Sequence, residues 1–360
     1  MYFADFGCIT AIGAGTEMTM AAIAAEISGC AESDHRCAKG EPAMIASIDD
    51  GLFVDISMET DYSEPVSEQT IRRMAMTALA LDDLSGRFPV EKPCPLIWVN
   101  SEQNPYDEPL PREVLRELLS DSEIPVSESI YHLNMGRAGG IYALHYANEL
   151  FQQQGHDYVL IGAAQSPWNS DWLGWLDSRG RLKHIDSKDA FAPGEGAGFL
   201  LLARTPELAQ AHPYQGINKS NRDKKPAVAI AAPGFAESPS HWYNDTAHKG
   251  EALLQAIDTA LTNLAQTEVG RQPIKALITS QNGELFWMKE HRVAVARHAA
   301  QLKDAVHRHP FEYTGDLGTL SGLFLTAYAA HLLTRSVHSD ALVYAASDDA
   351  WRAAAGLYRL

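Results

Sequence analysis

His132, His145 and His156 stand near Ser166 and Asp171 in the middle of the chain. A hydroxyl activated by an imidazole, with a carboxylate to orient the base, would do acyl-transfer chemistry. The local pattern argues against it. No Gly-x-Ser-x-Gly elbow presents Ser166, which runs straight into Pro167 and Trp168. His145 lies midway along a helical stretch and reads as a packed core histidine. The other nucleophile type is cysteine, present at Cys8, Cys30, Cys37 and Cys94 and nowhere later in the chain. Cys8 sits in an apolar, strand-like run and reads as a buried thiol. These cysteines are too sparse for a disulfide framework. Asp34-His35-Arg36-Cys37 carries metal-capable side chains but lacks a second ligand pair at zinc spacing. Gly13-Ala14-Gly15 lacks the spacing and the later acid of a dinucleotide fingerprint, and there is no Walker motif. Neither a metal nor a cofactor is expected.

The elements that would position such residues alternate between strand and helix. Residues 9–12 read as strand ending at Gly13-Ala14-Gly15, and 17–27 as an Ala-rich helix stopped by Gly29. Residues 43–48 read as strand. The stretch 67–84 reads as a helix capped by Ser67, with Ile71, Met74, Ala78 and Leu81 on one face. Residues 95–99 form a continuous apolar run of the kind buried on both faces. Helices are predicted at 111–119 and 139–151, and strands at 158–161 and 198–202 after a Trp-rich loop. The rhythm then restarts: strand 227–231, helix 251–264, strand 276–279, helices 288–302 and 319–333, strand 342–345 and a last element at 353–358. This argues for α/β layers with mainly parallel strands. The polar segment 205–226, with Pro206, Pro213 and Gly216, reads as the link between halves spanning 1–210 and 226–360. Trp168, Trp172 and Trp175 recur on one helical face, which is the spacing of a packing stripe; exposed, it would mark a partner surface.

The chain has 360 residues and a formal charge of −17, with 46% hydrophobic residues. That composition suits a soluble globular protein with a large core, and its acidity disfavours nucleic acid and anionic lipid. The tract Asn221-Arg222-Asp223-Lys224-Lys225 is the nearest thing to a basic patch and reads as solvated linker. Residues 1–5 have no basic, apolar signal pattern, and no apolar run approaches a membrane span. A reducing, cytoplasmic setting is expected.

Three patterns carry a family resemblance. Ile9-Thr10-Ala11-Ile12-Gly13-Ala14-Gly15, with an Ala-rich helix after it, is similar to the opening of β-ketoacyl-acyl-carrier-protein synthases. Asp189-Ala190-Phe191-Ala192-Pro193-Gly194-Glu195-Gly196-Ala197-Gly198, running into Phe199-Leu200-Leu201-Leu202, resembles that family's Asp-Gly-Phe, two variable residues, then Gly-Glu-Gly-Ala-Gly before an apolar strand. Gly194, Glu195, Gly196 and Gly198 form its structural turn. Gly136-Arg137-Ala138-Gly139-Gly140-Ile141-Tyr142-Ala143-Leu144-His145 resembles the elbow that holds the family's cysteine at the head of a buried helix, where the helix N-terminus lowers the thiol pKa and backbone N–H groups hold an oxyanion.

The resemblance implies a thiolase-type fold, two related α/β halves in five αβαβα layers, and a homodimer or a heterodimer with a ketosynthase-like chain. It also implies a degenerate site. Arg137 stands in place of the cysteine. Gln281 in Ile278-Thr279-Ser280-Gln281-Asn282-Gly283 stands in place of the first histidine. Asp316 and Phe311 in the stretch 311–322 stand in place of the second histidine and the lysine. Residues 346–350 lack the glycines of the C-terminal loop. A guanidinium is no nucleophile, and neither Gln281 nor Asp316 can replace an imidazolium. No catalytic residues are expected. The resemblance therefore implies an inactive accessory, adaptor or partner protein, chain-length-factor-like or serving type VI secretion effectors. The alternative is an acyltransferase or decarboxylase of altered chemistry on acyl-carrier or CoA thioesters. Arg137 and Asp316 are expected to meet in one pocket and to pair.

Overall fold

A computed structural model describes residues 1–53, 67–102, 106, 109–120, 122–211, 226–244, 246–247, 249–335 and 337–360. The basic tract 221–225 and most of the inter-half segment lie outside the described residues. In chain order the first elements are β1 (Tyr2–Thr10), α1 (Thr16–Ala24), β2 (Cys30–Arg36), β3 (Pro42–Ala46), α2 (Glu68–Ser85), β4 (Cys94–Asn100) and α3 (Arg112–Ser120). Then come β5 (Val126–Asn134), α4 (Gly136–Gln154), β6 (Tyr158–Gln165), α5 (Ser170–Ser178), β7 (Gly196–Ala203) and the short α6 (Pro206–Ala209). The later part contains β8 (Val228–Ile230), β9 (Gly234–Glu237), α7 (Glu251–Leu264), β10 (Ala276–Thr279), α8 (Leu285–Arg297) and α9 (Ala299–Leu302). It ends with β11 (Val306–Arg308), α10 (Phe311–Thr314), α11 (Ser321–Thr334), β12 (Asp340–Ala346) and β13 (Trp351–Arg359).

The large sheet runs β11-β10-β12-β13-β8-β1-β7-β6-β4-β5. Its two halves repeat one plan. In β1, β4, β5, β6 and β7, the second strand pairs in parallel with the third and fourth, and the fifth lies antiparallel between the fourth and the first. Strands β8, β10, β11, β12 and β13 do the same, and β1 pairs with β8 to join the halves. The repeat is one of topology, which explains why no residue-level repeat is legible. The sheet is mixed, and the expectation of mainly parallel strands is corrected. The last strand of each half turns back on its neighbour, as β13 does on β12 after a turn at 347–350.

Helices α4 and α11 pack together between the two halves of the sheet and share one core with residues of β1, β4, β6, β10, β12 and β13. Helix α2 covers the outer face of the first half through Met74, Leu81 and Leu84 against Trp98 and Phe199. Helix α7 covers the second through Leu253 and Ile257 against Leu277 and Leu342. The result is five layers, α/β/α/β/α. Fully burying such side chains stabilises by roughly 1.5–3 kcal/mol each.

The two central helices nearly touch. A Cβ on Gly322 would lie 2.8 Å from the Arg137 carbonyl oxygen and 2.9 Å from the Gly140 Cα. Only glycines allow this approach, and it sets the heads of α4 and α11 against each other.

Several expectations need correction. Ser67 does cap α2, accepting from the Thr70 N–H at 3.3 Å, but Ile71 is 43% exposed and the buried stripe runs through Met74, Thr77, Leu81 and Leu84. The predicted helix 288–302 is two helices broken at His298, whose ring reaches the Ala294 carbonyl at 2.9 Å and Asp258 at 2.7 Å. Strands β2, β5, β9 and β11 escaped the sequence reading because they are short, polar or at sheet edges. His145 is not a core histidine: its side chain is 41% exposed and faces Glu149 at 3.6 Å. Cys8 is wholly buried, and burial pushes its thiol up to about 12. Among the described residues no helix is long and apolar enough to cross a membrane.

Candidate functional site

The head of α4 is where both halves of the molecule converge. Helix α4 begins at Gly136 with φ +55°, and the carboxylate of Glu102, just after β4, occupies the space a Cβ there would need. Any other residue at 136 would expel Glu102. The next residue, Arg137, is 6% exposed. Its Nε lies 2.9 Å from both Asp316 oxygens, its Nη2 2.7 Å from Asp316 Oδ2, and its Nη1 2.7 Å from Asp348 Oδ1. The expected pair between Arg137 and Asp316 is therefore present, and it is part of something larger.

Asp348, in the turn between β12 and β13, also accepts from Arg181 Nη1 at 2.8 Å and Nη2 at 3.0 Å. Arg181, in the loop after α5, forks onto Glu284 at 2.7 and 2.9 Å. Glu284 also receives the Trp287 indole N–H at 3.0 Å. Asn282 donates to Glu284 at 3.1 Å and to Asp316 at 2.7 Å, closing the ring. Both guanidiniums lie over aromatic faces. Arg137 and Arg181 stand 5.7 and 5.2 Å from the Phe191 ring, and Arg181 stands 4.2 Å from Trp242.

Charge and burial set the protonation states. Burial alone would push Asp348 up, but Arg137 and Arg181 outweigh it and hold the carboxyl well below its ordinary range. Burial also works against the charge on Arg137, and Asp316 and Asp348 overturn it. Glu102 has no such rescue. Burial, then the neighbouring Asp348 and Asp349, push it up to about 7 against a weaker pull from Arg137. Burial likewise raises Glu284, against Arg181. Two permanent cations thus face Asp316, Asp348 and Glu284, with Glu102 held above the ordinary carboxylate range beside them. Opposed charges in this arrangement are retained because each is hydrogen-bonded as well as paired.

The polar groups at the helix head are already partnered. The Ala138 N–H, at the helix end where an anion would dock, donates to Ser347 Oγ at 2.9 Å. The Ser347 hydroxyl in turn donates to the Met135 carbonyl at 2.5 Å. Both partners are backbone, and no base touches the hydroxyl. Burial pushes Cys8 and Cys94 up to about 12 and Cys37 up to about 11, so these thiols are poor nucleophiles at neutral pH.

The remaining sequence-predicted residues divide. Gln281, after β10, turns away from Arg137 and donates to the Trp287 carbonyl at 2.9 Å and to the Tyr344 hydroxyl at 3.3 Å. Its neighbour Asn282 is the one that joins the site. Phe311 is buried in the central core at the start of α10. Glu195 is a buried structural hub. It accepts from Arg72 at 2.6 and 2.8 Å, from Ser166 Oγ at 2.8 Å and from the Ile48 N–H at 3.0 Å. The Gly194 N–H donates to the Asp316 carbonyl at 2.8 Å, and the Asp316 N–H to the Ala192 carbonyl at 2.8 Å, so the glycine turn clamps Asp316 in place. Gly196 and Gly198 lie in β7, against β1. Trp168, Trp172 and Trp175 pack on the small cluster of Cys37, Leu173, Leu176 and Phe191. Glu102, Arg181, Asn282, Glu284 and Asp348 escaped the sequence reading, because nothing in their local patterns marks them as partners and they come from four separate loops.

Among known proteins, no family model matches the sequence and no curated protein matches it. Solved structures do match. The ishigamide ketosynthase/chain length factor superposes with a TM-score of 0.72 at 13% identity, over 100% of this chain and 98% of that one. The ketosynthase in complex with its chain length factor from Xenorhabdus doucetiae gives 0.69 at 14%, over 100% and 98%. The ketosynthase from module 6 of the bacillaene synthase of Bacillus subtilis 168 gives 0.74 at 11%, over 100% and 72%. At such identities the likeness is one of fold: this chain has the thiolase-like ketosynthase fold.

Proposed function

We propose that this chain is a ketosynthase-fold protein that does not condense acyl chains and works by binding, as an accessory, adaptor or partner subunit. In this reading Arg137, Gln281, Asp316 and Phe311 occupy the positions of the cysteine, the two histidines and the lysine. The observation that carries it is the ring of Arg137, Asp316, Asp348, Arg181 and Glu284 at the head of α4. Condensation requires a thiolate to hold the acyl chain and a cationic or neutral donor to polarise the malonyl group. Buried guanidiniums committed to carboxylates supply neither. The solved relatives that pair a ketosynthase with a chain length factor support a partner of that sort, a chain without turnover held beside a cysteine-bearing sister. An accessory protein for type VI secretion effectors is the other setting of the same reading.

One observation favours a second reading. Glu102, titrating at about 7 beside Arg137, has the pKa of a general acid or base. A decarboxylase or acyltransferase on carrier or CoA thioesters would use it. The experiment is to incubate the purified chain with malonyl- and acyl-loaded carrier protein, following carbon dioxide release and the intact mass of the chain. No gas and no acyl adduct are expected, and capture from the native host should retrieve a ketosynthase-fold sister or a secreted effector. Turnover that disappears in Glu102→Gln or Arg137→Ala would overturn the binding reading in favour of the second.

A further inference from the structure

Helix α8 starts at the site and carries a second cluster one turn and more along its length. Its N-cap is Glu284, which holds Arg181, and its buried face presents Trp287, Glu290 and then His291. His291 meets two histidines of the sheet edge, His307 in β11 and His309 just beyond it. The ring centroids are 5.4 Å apart for His291 and His307, 6.0 Å for His291 and His309, and 6.4 Å for His307 and His309. Alternation along the strand puts His307 and His309 on one face, toward α8. His291 Nδ1 lies 2.8 Å from the Tyr344 hydroxyl, and His309 Nδ1 lies 2.7 Å from Thr279 Oγ1. Among the described residues no three His, Cys, Asp or Glu side chains are set to hold a metal ion, and this trio is not a metal site.

Imidazoles this close can be neutral together but cannot all be charged together without repulsion. We propose that His291, His307 and His309 form an acid-sensitive latch between α8 and strand β11, which loosens on protonation and frees Glu284 from the closed head of α4. The surrounding charges support this. On α8 itself, Arg292 also disfavours a charge on His291, and Glu290 is committed to Arg352 at 2.9 Å. From α10, Glu312 is the one carboxylate that favours a charge, and it acts on His309 alone. From β12 and the end of β10 the neighbours are the neutral Tyr344, Thr279 and Gln281. Arg308, between the two strand histidines, acts on Tyr328 and His338 on the other face. Burial first, then His307, His309 and Arg292, push His291 down to about 4, and burial lowers His307 and His309 as well. A loosened α8 would expose imidazoles of ordinary pKa, so that state binds protons more readily and gains population as pH falls below about 6.5. The latch acts on the site of the proposed function, but its test does not use the acyl-transfer assay, and either can fail alone.

The test is hydrogen–deuterium exchange of the full chain at about pH 7.5 and about pH 5, corrected for intrinsic rates, with α2, on the other half of the sheet, as internal reference. Exchange in α8 should rise about tenfold or more relative to the reference helix on acidification, and His291→Gln/His307→Gln/His309→Asn should abolish the rise, since all three replacements keep a polar group and cannot be protonated. An equal rise in wild type and variant would trace the effect to titration outside the cluster and overturn the latch, as would no rise in wild type. Imidazole NMR titration of the wild-type chain needs no variant. His291 should titrate far below its neighbours in the unfolded chain, and ordinary midpoints near 6.5 for all three rings would also overturn the proposal.

Discussion

Asp348 accepts hydrogen bonds from the guanidiniums of both Arg137 and Arg181. Removing its charge leaves Arg137 with Asp316 and Arg181 with Glu284 as two balanced buried pairs, but takes away the charge-assisted hydrogen bonds that join them. Asp348→Asn should therefore destabilise the chain by about 1.5–3 kcal/mol, read from urea denaturation at neutral pH. Glu102 has the opposite balance. Its folded pKa of about 7 lies above the ordinary 4.5, so the folded chain binds the extra proton between those values and loses stability as pH rises through them. Glu102→Gln keeps an acceptor for the Asp348 N–H and never ionises. The variant should match wild type near pH 5 and exceed it by at most about 3 kcal/mol near pH 8 in the same denaturation experiment. A wild-type advantage at high pH would mean that Glu102 is stabilised as an anion.

At the scale of elements, α4 and α11 decide how the two halves face each other. Their heads meet at Gly140 and Gly322, where a Cβ on Gly322 would lie within 2.8–2.9 Å of backbone atoms of α4. Backbone cannot swing aside as a side-chain tip can, so Gly322→Ala should force the helices apart. A loss of more than about 2 kcal/mol is expected, seen as a fall of several degrees in Tm and as faster exchange in both central helices. Asp316 lies just before α11 and Arg137 just inside α4, so the same substitution should lengthen their pair. The cavity lined by Lys92, Gly155, His156 and Asp157, of about 230 Å³, is at the other end of α4. That end is roughly 27 Å from Arg137 by helical rise, so the cavity plays no part in the site.

For the molecule as a whole, the ends of the large sheet differ. At one end β11 offers only Val306–Arg308, while at the other β5 offers Val126–Asn134, whose outer edge pairs with no strand among the described residues. A long edge of unpaired N–H and C=O groups tends to pair with another chain. The chain should therefore sediment at about twice its 39.4 kDa mass, or as a pair with a related sister chain. Ser129→Pro in β5 would remove the N–H that donates to Ser127 Oγ and distort the edge strand, and should return it to a monomer. A wild-type monomer at micromolar concentration, with no sister captured, would argue against pairing through this edge.

Much of the fold was legible locally. The alternation of elements, the extent of α7 and β10, the apolar run of β4 and the glycine turn before β7 all follow from short-range patterning, because helix and strand periods are properties of adjacent residues. The absence of cysteine beyond Cys94 and the presence of Arg137 at the start of a small-residue helix were equally plain, and they already excluded a thiolate there. The rest depended on the tertiary structure. Glu102, Arg181, Asn282, Glu284 and Asp348 become one site only because four loops end at the junction of the two halves. His291, His307 and His309 become a cluster only because a helix lies across an edge strand. A guanidinium in sequence has no particular partner. Burial and the carboxylates that the fold brings within 3 Å of Arg137 make it a fixed structural charge.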